Sequence, residues 1–365
     1  MFKAREMVSK VSFWLRRLLR VLGQALVIIF ITLALDYIAL ATVFSDLKRH
    51  WADNATAYTH SYVLSPLHHD LAPNQNSERA WGNIVYPFRS DRYGFRTGTC
   101  APGENDKSKP AIFVIGDSFT EALGVPYEQS FAGLMACDAA KQGKAVWNLG
   151  VTFYSPTIYY RKIRASAEKL GIKPAEVYVF LDLSDVRDEA LVYRVGPDDV
   201  VTMTPSNHWF ATGQFLLGNF ATFRLIYDLW IRSPLSVSGS YGRERALWTT
   251  DPELMAKWGR RGLQIATENM DKIVGLCREW QCTLTVVVYP WPDNIAKGDR
   301  NSIQVTYWRD WAAARGVRFI DGFGAFFTEA PDVAVHKYFF QGDVHFNAAG
   351  HRLLFDEVRS AVRDY

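Results

Sequence analysis

The feature that most limits what this chain can fold into is an apolar run close to its N-terminus. The 24 residues from Val21 to Phe44 include only two strongly polar side chains, Gln24 and Asp36. A helix of that length rises about 36 Å, which is enough to cross a hydrocarbon core of roughly 30 Å. The run therefore predicts one N-terminal transmembrane helix over 21–44.

The charges on either side of this run predict its orientation. Residues 1–20 carry six basic residues and one acidic residue, which leaves 35 basic and 37 acidic residues for the rest of the chain. By the positive-inside rule, 1–20 form a basic cytoplasmic tail and 45–365 lie outside the cytoplasm. A cleaved signal peptide that ends at Ala39-Leu40-Ala41 is the alternative. Because the remaining chain is not basic, we expect no nucleic-acid partner.

Asp36 is the one acidic residue inside the predicted span. A carboxylate at this depth costs a few kcal/mol on insertion scales, so it needs an explanation. One explanation is a contact with another membrane protein. The other is an acid that stays neutral or reaches towards the interface, and the sequence leaves both open.

Four cysteines, Cys100, Cys137, Cys277 and Cys282, suit an oxidising periplasm. Cys277 and Cys282 flank the predicted end of a helix and the start of a strand, so they could form a local bridge. Cys100 and Cys137 would then form the second pair. Three pairings are conceivable, free buried thiols are a fourth outcome, and the sequence does not choose among them.

The rest of the chain divides at about residue 108. Residues 45–107 are rich in turn formers and predict an irregular periplasmic segment that wraps the main domain. In the domain 108–365, five short apolar runs alternate with amphipathic helical stretches, which predicts an α/β fold with a doubly wound, mainly parallel five-stranded sheet. The expected strands are Ala111–Ile115, Ala145–Asn148, Val177–Leu181, Leu284–Tyr289 and Val317–Ile320, and the expected helices lie near Ser130–Lys141, Thr157–Leu170, Pro252–Trp280, Thr306–Arg315 and Ala348–Arg363.

An aromatic-rich insertion at about 186–250 interrupts this alternation. Its central stretch, Trp209–Trp230, has a roughly helical period. A lid over the site, a membrane-facing hairpin and ordinary core packing are all compatible with it.

A serine stands at the end of the first predicted strand, in Gly116-Asp117-Ser118-Phe119. Open α/β sheets bind their ligands at the carboxyl edge, where a strand gives way to a helix. The amides of a helix start also favour developing negative charge. Ser118 is therefore a candidate nucleophile, although a serine in such a turn is more often a simple cap.

A second polar pattern lies near the C-terminus, in Gly342-Asp343-Val344-His345-Phe346-Asn347. An Asp two residues before a His can place its carboxylate against one imidazole nitrogen, which leaves the other nitrogen free to accept a hydroxyl proton. Alone, such a pair would more often be a metal ligand set or a surface loop. Paired with a strand-end serine it indicates nucleophilic catalysis.

Over about residues 110–365 the chain resembles the SGNH (GDSL-type) hydrolase superfamily. The resemblance rests on IGDSFTEALGV around Ser118 and on GDVHFNAAGH around His345, with the serine early in the domain and the Asp-x-His pair at its end. The order differs from that of enzymes with a G-x-S-x-G elbow. With its N-terminal anchor and its Tyr289-Pro290-Trp291-Pro292 turn, the chain looks like membrane-tethered bacterial members, some of which add or remove acyl groups on cell-surface polysaccharides, as the alginate O-acetylation proteins do.

The resemblance implies Ser118 as nucleophile, His345 as general base and then acid, and Asp343 as the residue that orients His345. It also implies an oxyanion hole built from the amides of Ser118 and Gly150 and from the side chain at Ser184. Two departures weaken the last implication. Phe153 replaces a further glycine, and Ser184 stands where the family has Asn; one lost donor typically costs about 10²–10³ in turnover.

The function expected from these patterns is that of a serine-dependent acyl-ester hydrolase or O-acetyltransferase that acts on a cell-envelope or extracellular glycan. We expect no cofactor and no metal ion. Beyond the glycan or acyl-ester substrate, the expected partner is the membrane, through 21–44, and Asp36 is a candidate contact for a membrane protein. The alternatives are a tethered SGNH-fold assembly or binding subunit with weak turnover, and a lipid-acting esterase.

Overall fold

The computed structural model describes residues 2–45, 62–81, 84–99, 106–203, 216, 219–231 and 243–363. The chain divides into two compact units, one of 1–55 with 206–230 and the other of 56–205 with 231–365. The stretch 206–230 thus groups with the N-terminal helix rather than with the domain 108–365, in which we had placed it. Residues 209–215, 217 and 218 of the predicted segment Trp209–Trp230, together with Cys100, lie outside the described residues.

Thirteen α-helices occur in the described part of the chain. In chain order they are α1 (Phe2–Ala41), α2 (Ser118–Glu121), α3 (Phe131–Lys141), α4 (Pro156–Leu170), α5 (Asp185–Leu191), α6 (Ala221–Ile231), α7 (Pro252–Leu254), α8 (Arg260–Trp280), α9 (Pro292–Ala296), α10 (Ile303–Ala313), α11 (Phe323–Phe326), α12 (Pro331–Tyr338) and α13 (Ala348–Arg363).

Eleven strands lie in the same described residues. They are β1 (Tyr62–Ser65), β2 (His68–Leu71), β3 (Asn76–Trp81), β4 (Ile84–Arg89), β5 (Ala111–Ile115), β6 (Ala145–Asn148), β7 (Glu176–Leu181), β8 (Tyr193–Val195), β9 (Val201–Met203), β10 (Thr283–Val288) and β11 (Arg318–Asp321).

In the smaller unit, α1 is one continuous helix. Its part from Arg16 to Ala41 is long and apolar enough to cross a membrane. Along this part the side chains from Arg16 to Thr32 are exposed, as a lipid-facing helix requires. The predicted helix over 21–44 is therefore present, although it ends at Ala41.

The larger unit is built on one five-stranded sheet in the order β11-β10-β7-β5-β6. All four neighbouring pairs are parallel, and β5 and β6 are buried along their whole length. Helices connect the strands on both faces, because a parallel strand pair needs a crossover. The predicted α/β class, the doubly wound parallel sheet and all five strands are confirmed, with boundaries that differ by one residue at most.

The prediction of an irregular segment over 45–107 is wrong for 62–89. There β1 pairs with β2, and β3 pairs with β4, in two antiparallel ladders. The strand β3 reads NSERAW, which lacks the β-branched residues that mark a strand. Its pairing with the apolar β4 and the burial of Arg79 hold it in place.

One of the possible disulfides, Cys277–Cys282, is present. Cys277 at the end of α8 bridges Cys282, which directly precedes β10. Cys137 is also in a disulfide. Helix α8 packs its apolar stripe, which includes Leu263, Met270 and Ile273, against the rest of the core. The bridge therefore ties the end of a long packed helix to the sheet.

Candidate active site

Ser118 lies directly after the strand at which the sheet order reverses. Strand β5 ends at Ile115, and Ser118 is the first residue of α2. Strands β6 and β7 pair with opposite edges of β5. A crevice therefore forms beyond the carboxyl end of β5, which is where open α/β sheets bind ligands. Asp117 fixes the turn, since its Oδ1 accepts a hydrogen bond of 3.1 Å from the Phe119 amide. Ser118 keeps 8% of its surface exposed.

Asp343 and His345 lie on the loop between α12 and α13. A bridge between Phe339 and Phe346 closes this loop, and the Phe340 amide donates to the His345 carbonyl at 3.0 Å. Gly342 has a φ of +72°, a conformation that glycine adopts without strain. The short closed loop therefore holds both side chains rigidly towards the carboxyl edge of the sheet.

The structure brings the three predicted residues into one hydrogen-bonded path. His345 Nε2 lies 2.8 Å from Ser118 Oγ, and His345 Nδ1 lies 2.6 Å from Asp343 Oδ1. A carboxylate against Nδ1 requires the proton on that nitrogen, which leaves Nε2 as an acceptor for the serine hydroxyl. This arrangement can draw the proton from Ser118 as its oxygen attacks an electrophile.

Trp81 is a site residue that the sequence did not reveal. Its indole N–H donates to Asp343 Oδ2 at 2.8 Å, and its ring meets the His345 ring edge-on at 5.1 Å. Burial alone would raise the pKa of the Asp343 carboxyl, but His345 and Trp81 together hold that pKa below its ordinary value. Asp343 thus remains ionised and fixed against His345. The Gly-Asn pair at 82–83, before an apolar run, was the available hairpin signal.

Glu121, at the end of α2, connects the nucleophile to two other segments. Its Oε1 accepts from Arg79 at 2.7 Å, and its Oε2 accepts from the Thr152 amide at 2.6 Å and from the Thr152 hydroxyl at 2.7 Å. Arg79 and Glu121 are both buried. Since the loss of one partner would leave a buried charge, this pair fixes the β3–β4 hairpin against the helix that carries Ser118.

A group of buried aspartates surrounds the base of the site. The four residues Asp117, Asp182, Asp185 and Asp188 are all buried. Burial first, and then the charge of Asp182, raises the pKa of Asp117 well above its ordinary value. Ser118 Oγ lies 3.3 Å from Asp117 Oδ2. This shift favours the protonated form of Asp117, which has no repulsion with negative charge that develops at the serine.

Of the expected oxyanion donors, the Gly150 amide already has an acceptor within the protein. The Gly150 amide donates to Asn148 Oδ1 at 2.9 Å, and the Ser184 amide donates to Asp182 Oδ1 at 2.7 Å. Gly150 is a glycine for another reason, since an added Cβ would lie 2.6 Å from Thr120. In this structure the Gly150 amide therefore already donates its hydrogen bond within the protein and is not available to a ligand.

Phe153, in the same loop, has an unusual backbone. Its φ of +67° lies in the left-handed region, which bulky residues rarely enter. Its carbonyl accepts a hydrogen bond from the Tyr193 hydroxyl, while its side chain is 49% exposed. Residues held in such conformations cluster at functional sites, and this one occupies the position of the glycine that the resemblance leads us to expect.

Fold and site together define an α/β protein with a serine–histidine–aspartate cluster at the carboxyl edge of its sheet. The serine comes from the first strand of the sheet, and the other two residues come from the loop before the last helix. This is the order that the resemblance to the SGNH hydrolases implies.

No family model matches this chain, and no curated protein matches it. Solved structures to which it is similar include the esterase EstA from Pseudoalteromonas sp., at 13% identity over 70% of this chain and 97% of that chain, with a TM-score of 0.40. The acetylxylan esterase Axe2 from Geobacillus stearothermophilus has 16% identity over 69% and 94%, with a TM-score of 0.39. A GDSL-like lipase from Bacteroides thetaiotaomicron has 11% identity over 72% and 91%, with a TM-score of 0.38. A likeness this distant assigns no activity to this chain.

Proposed function

We propose that this chain is an SGNH-type serine enzyme that hydrolyses acyl esters or transfers their acyl group. The observation that carries the proposal is the path from Ser118 through His345 to Asp343, with distances of 2.8 Å and 2.6 Å. A serine is a weak nucleophile unless a base shares its proton. Each member of the path is held by a further contact, so that the geometry exists before any substrate arrives.

The chemistry follows from this path. As Ser118 Oγ bonds to the acyl carbon, His345 Nε2 takes the serine proton, and Asp343 stabilises the imidazolium that forms. The carbon–oxygen bond to the alcohol then breaks, and His345 returns the proton to the departing oxygen. Water or a sugar hydroxyl attacks the acyl-serine in the second half, with His345 again as base, and Ser118 regains its proton.

The Ser118 amide, the Gly150 amide and Ser184 are the proposed oxyanion donors. For Gly150 this requires a change, because its amide must leave Asn148 Oδ1 before it can reach the substrate. Ser184 can offer its hydroxyl, which reaches less far than an Asn side chain. Oxyanion stabilisation is therefore the weaker half of the proposed machinery.

The proposed substrate is a small acyl group, such as acetyl, on a glycan of the cell envelope. Ser118 and His345 each expose only 8% of their surface, which favours a small group presented on a larger molecule. The chain is anchored in the inner membrane by 21–44, with 1–20 in the cytoplasm and 108–365 in the periplasm. The Cys277–Cys282 bridge supports an oxidising compartment.

The activity is tested with the full chain in detergent micelles. We expect hydrolysis of p-nitrophenyl acetate and release of acetate from O-acetylated glycans, both abolished in Ser118→Ala. When an unacetylated glycan is added as acceptor, acetylated sugar in place of free acetate identifies a transferase. Absence of any turnover that depends on Ser118 would contradict the proposal. Alkaline phosphatase fused after Arg49 should be active, and an inactive fusion would contradict the topology.

A second candidate function is that of a tethered assembly or binding subunit with weak turnover. The commitment of the Gly150 amide, together with serine at position 184, favours it. In that case the full chain should bind a glycan equally well in Ser118→Ala and in the unaltered form, while neither form turns over an ester.

A further inference from the structure

The Asp36 carboxylate has partners within its own unit. Its Oδ1 accepts a hydrogen bond of 3.2 Å from the Ala221 amide, and its Oδ2 accepts one of 2.9 Å from the Thr222 amide. These two amides open α6, and the first amides of a helix have no partner inside the helix. An acceptor side chain from another part of the chain thus caps the start of α6.

One stripe of α1 is partly or fully shielded from solvent. Leu33, Asp36 and Leu40 lie on this stripe, and Leu40 is fully buried. Nearby, the Tyr37 ring lies 5.9 Å from the Phe220 ring. The side chains of α1 from 16 to 32 are exposed by comparison. Only the outer end of the apolar helix is therefore covered, and the start of α6 is part of that cover.

One face of α6 is apolar and exposed. Leu225, Ile226 and Leu229 are 59%, 58% and 62% exposed, and together with Thr222 they follow the i, i+3, i+4, i+7 spacing of one helix face. Leucine and isoleucine side chains are stabilised when they are removed from water. Three such side chains on a single face therefore call for an apolar surrounding.

The depth of Asp36 indicates what that surrounding is. Asp36 precedes the end of α1 at Ala41 by five residues, which is about 7.5 Å along the helix axis. If α1 spans the bilayer, the start of α6 lies in the outer leaflet, below the headgroups. Backbone amides at that depth have no water to bind and need a partner from the protein. Asp36 supplies this partner at the point where it is needed.

We propose that α6 is a second membrane-embedded element, which enters the outer leaflet beside α1 with Leu225, Ile226 and Leu229 among the acyl chains. The occupant of its exposed face is lipid. Asp36 is then a positioning residue. By capping α6, it lowers the free-energy cost of placing the first amides of this helix in the membrane. The proposal rests on the proposed anchoring by α1, and its test separates the two.

The test places a nitroxide spin label on single introduced cysteines of the full chain, in vesicles of phosphatidylethanolamine and phosphatidylglycerol. Cys137, Cys277 and Cys282 are all in disulfides, and the unaltered chain, carried through the same labelling, must take up no nitroxide. Leu229→Cys probes α6, Leu35→Cys probes the anchor and Val195→Cys, on β8, is the water-exposed control. Collisions with oxygen report lipid, and collisions with a water-soluble nickel chelate report solvent.

We expect the labels at 229 and 35 to collide often with oxygen and several-fold less with nickel than the label at 195. A label at 229 that meets nickel as the control does, while the label at 35 stays in lipid, overturns the proposal and leaves the anchor intact. A label at 35 that meets nickel overturns the anchor itself. A label at 229 that neither reagent reaches indicates a protein partner on this face, which also overturns the lipid proposal.

A second comparison tests the role of Asp36. In Asp36→Leu the cap is lost, so the label at 229 should become several-fold more accessible to nickel, whereas Asp36→Asn keeps an acceptor oxygen and should retain the original pattern. If Asp36→Leu leaves the accessibility at 229 unchanged, Asp36 does not position α6.

Discussion

On the nucleophile side of the site, His345 already joins Ser118 to Asp343, and Trp81 adds a further hydrogen bond to the carboxylate. On the oxyanion side, the Gly150 amide donates instead to Asn148 Oδ1, and Ser184 can offer only its short hydroxyl. The hydrogen bonds of the first side are those that the proposed reaction uses, whereas the bond from the Gly150 amide to Asn148 competes with it. We infer that the proton-transfer machinery is arranged in advance and that oxyanion stabilisation limits the rate.

The largest effect is expected from the nucleophile side. Ser118→Ala and His345→Ala should each lower ester turnover at least about 10⁴-fold, because the members of such a path act as a unit. For the same reason the double variant should be hardly slower than either single variant. Ser360→Ala, at an exposed serine of α13, is the matched control and should keep full activity in the p-nitrophenyl acetate assay.

The oxyanion side should respond in the opposite direction. Ser184→Asn gives the longer donor that the resemblance leads us to expect, so kcat should rise, by no more than the roughly 10²–10³ that one such donor contributes. KM should change little, since the new bond forms with the transition state. If kcat is unchanged or falls while the fold is retained, oxyanion stabilisation at this position does not limit the reaction.

A smaller effect is expected at Trp81, which holds Asp343 in place but is not one of the three residues of the proposed catalytic path. Trp81→Phe removes one hydrogen bond to an ionised carboxylate, which is worth about 1.5–3 kcal/mol, and we expect kcat to fall about tenfold or somewhat more. Trp311→Phe is the matched control, because the Trp311 indole donates to Asp271 at 2.9 Å in the same way but outside the site. Equal losses in both variants would reduce the role of Trp81 to general stability.

The smallest effect on activity is expected at His351, six residues after His345. Burial, and then the charge of His345, lowers the pKa of His351 from 6.5 to about 3. Below pH 6.5 the His351 imidazole of the unfolded chain binds a proton, whereas the same imidazole in the folded chain binds it only below about pH 3. The stability that His351 contributes is therefore lost as the pH falls through this window, by at most about 5 kcal/mol.

His351→Gln removes this titration and keeps an acceptor for the Phe131 amide, which donates to His351 Nδ1. Urea unfolding of both forms between pH 4 and pH 7 should show a shallower loss of stability in the variant, with ester turnover at neutral pH nearly unchanged. A parallel loss in both forms would show that His351 already binds its proton in the folded state at these pH values.

The sequence was sufficient for the nucleophile side and for the sheet. Five buried strands leave a strong apolar signal, and Ser118, Asp343 and His345 each follow directly from a local motif at the end of an element. Trp81 and Arg79 were missed because β3 is a polar strand, held by its pairing and by a buried ion pair rather than by its own propensity.

The oxyanion side could not be predicted for a different reason. Whether a backbone amide faces a ligand depends on which acceptor lies near it in the folded loop. The sequence does not show that the Asn148 side chain turns back to accept the hydrogen bond of the Gly150 amide. The glycine itself is explained by its close approach to Thr120. The left-handed Phe153 likewise depends on contacts such as that from Tyr193, which is distant in sequence.

The most direct measurement of the central claim is covalent labelling of the full chain with a fluorophosphonate, followed by peptide mass spectrometry. Only a serine whose proton is shared with His345 is nucleophilic near neutral pH. We expect a single adduct, on Ser118, which is lost in Ser118→Ala and in His345→Ala and retained in Ser360→Ala. An unlabelled Ser118 in folded protein, or an adduct that persists in His345→Ala, would contradict the assignment of these residues as a catalytic path.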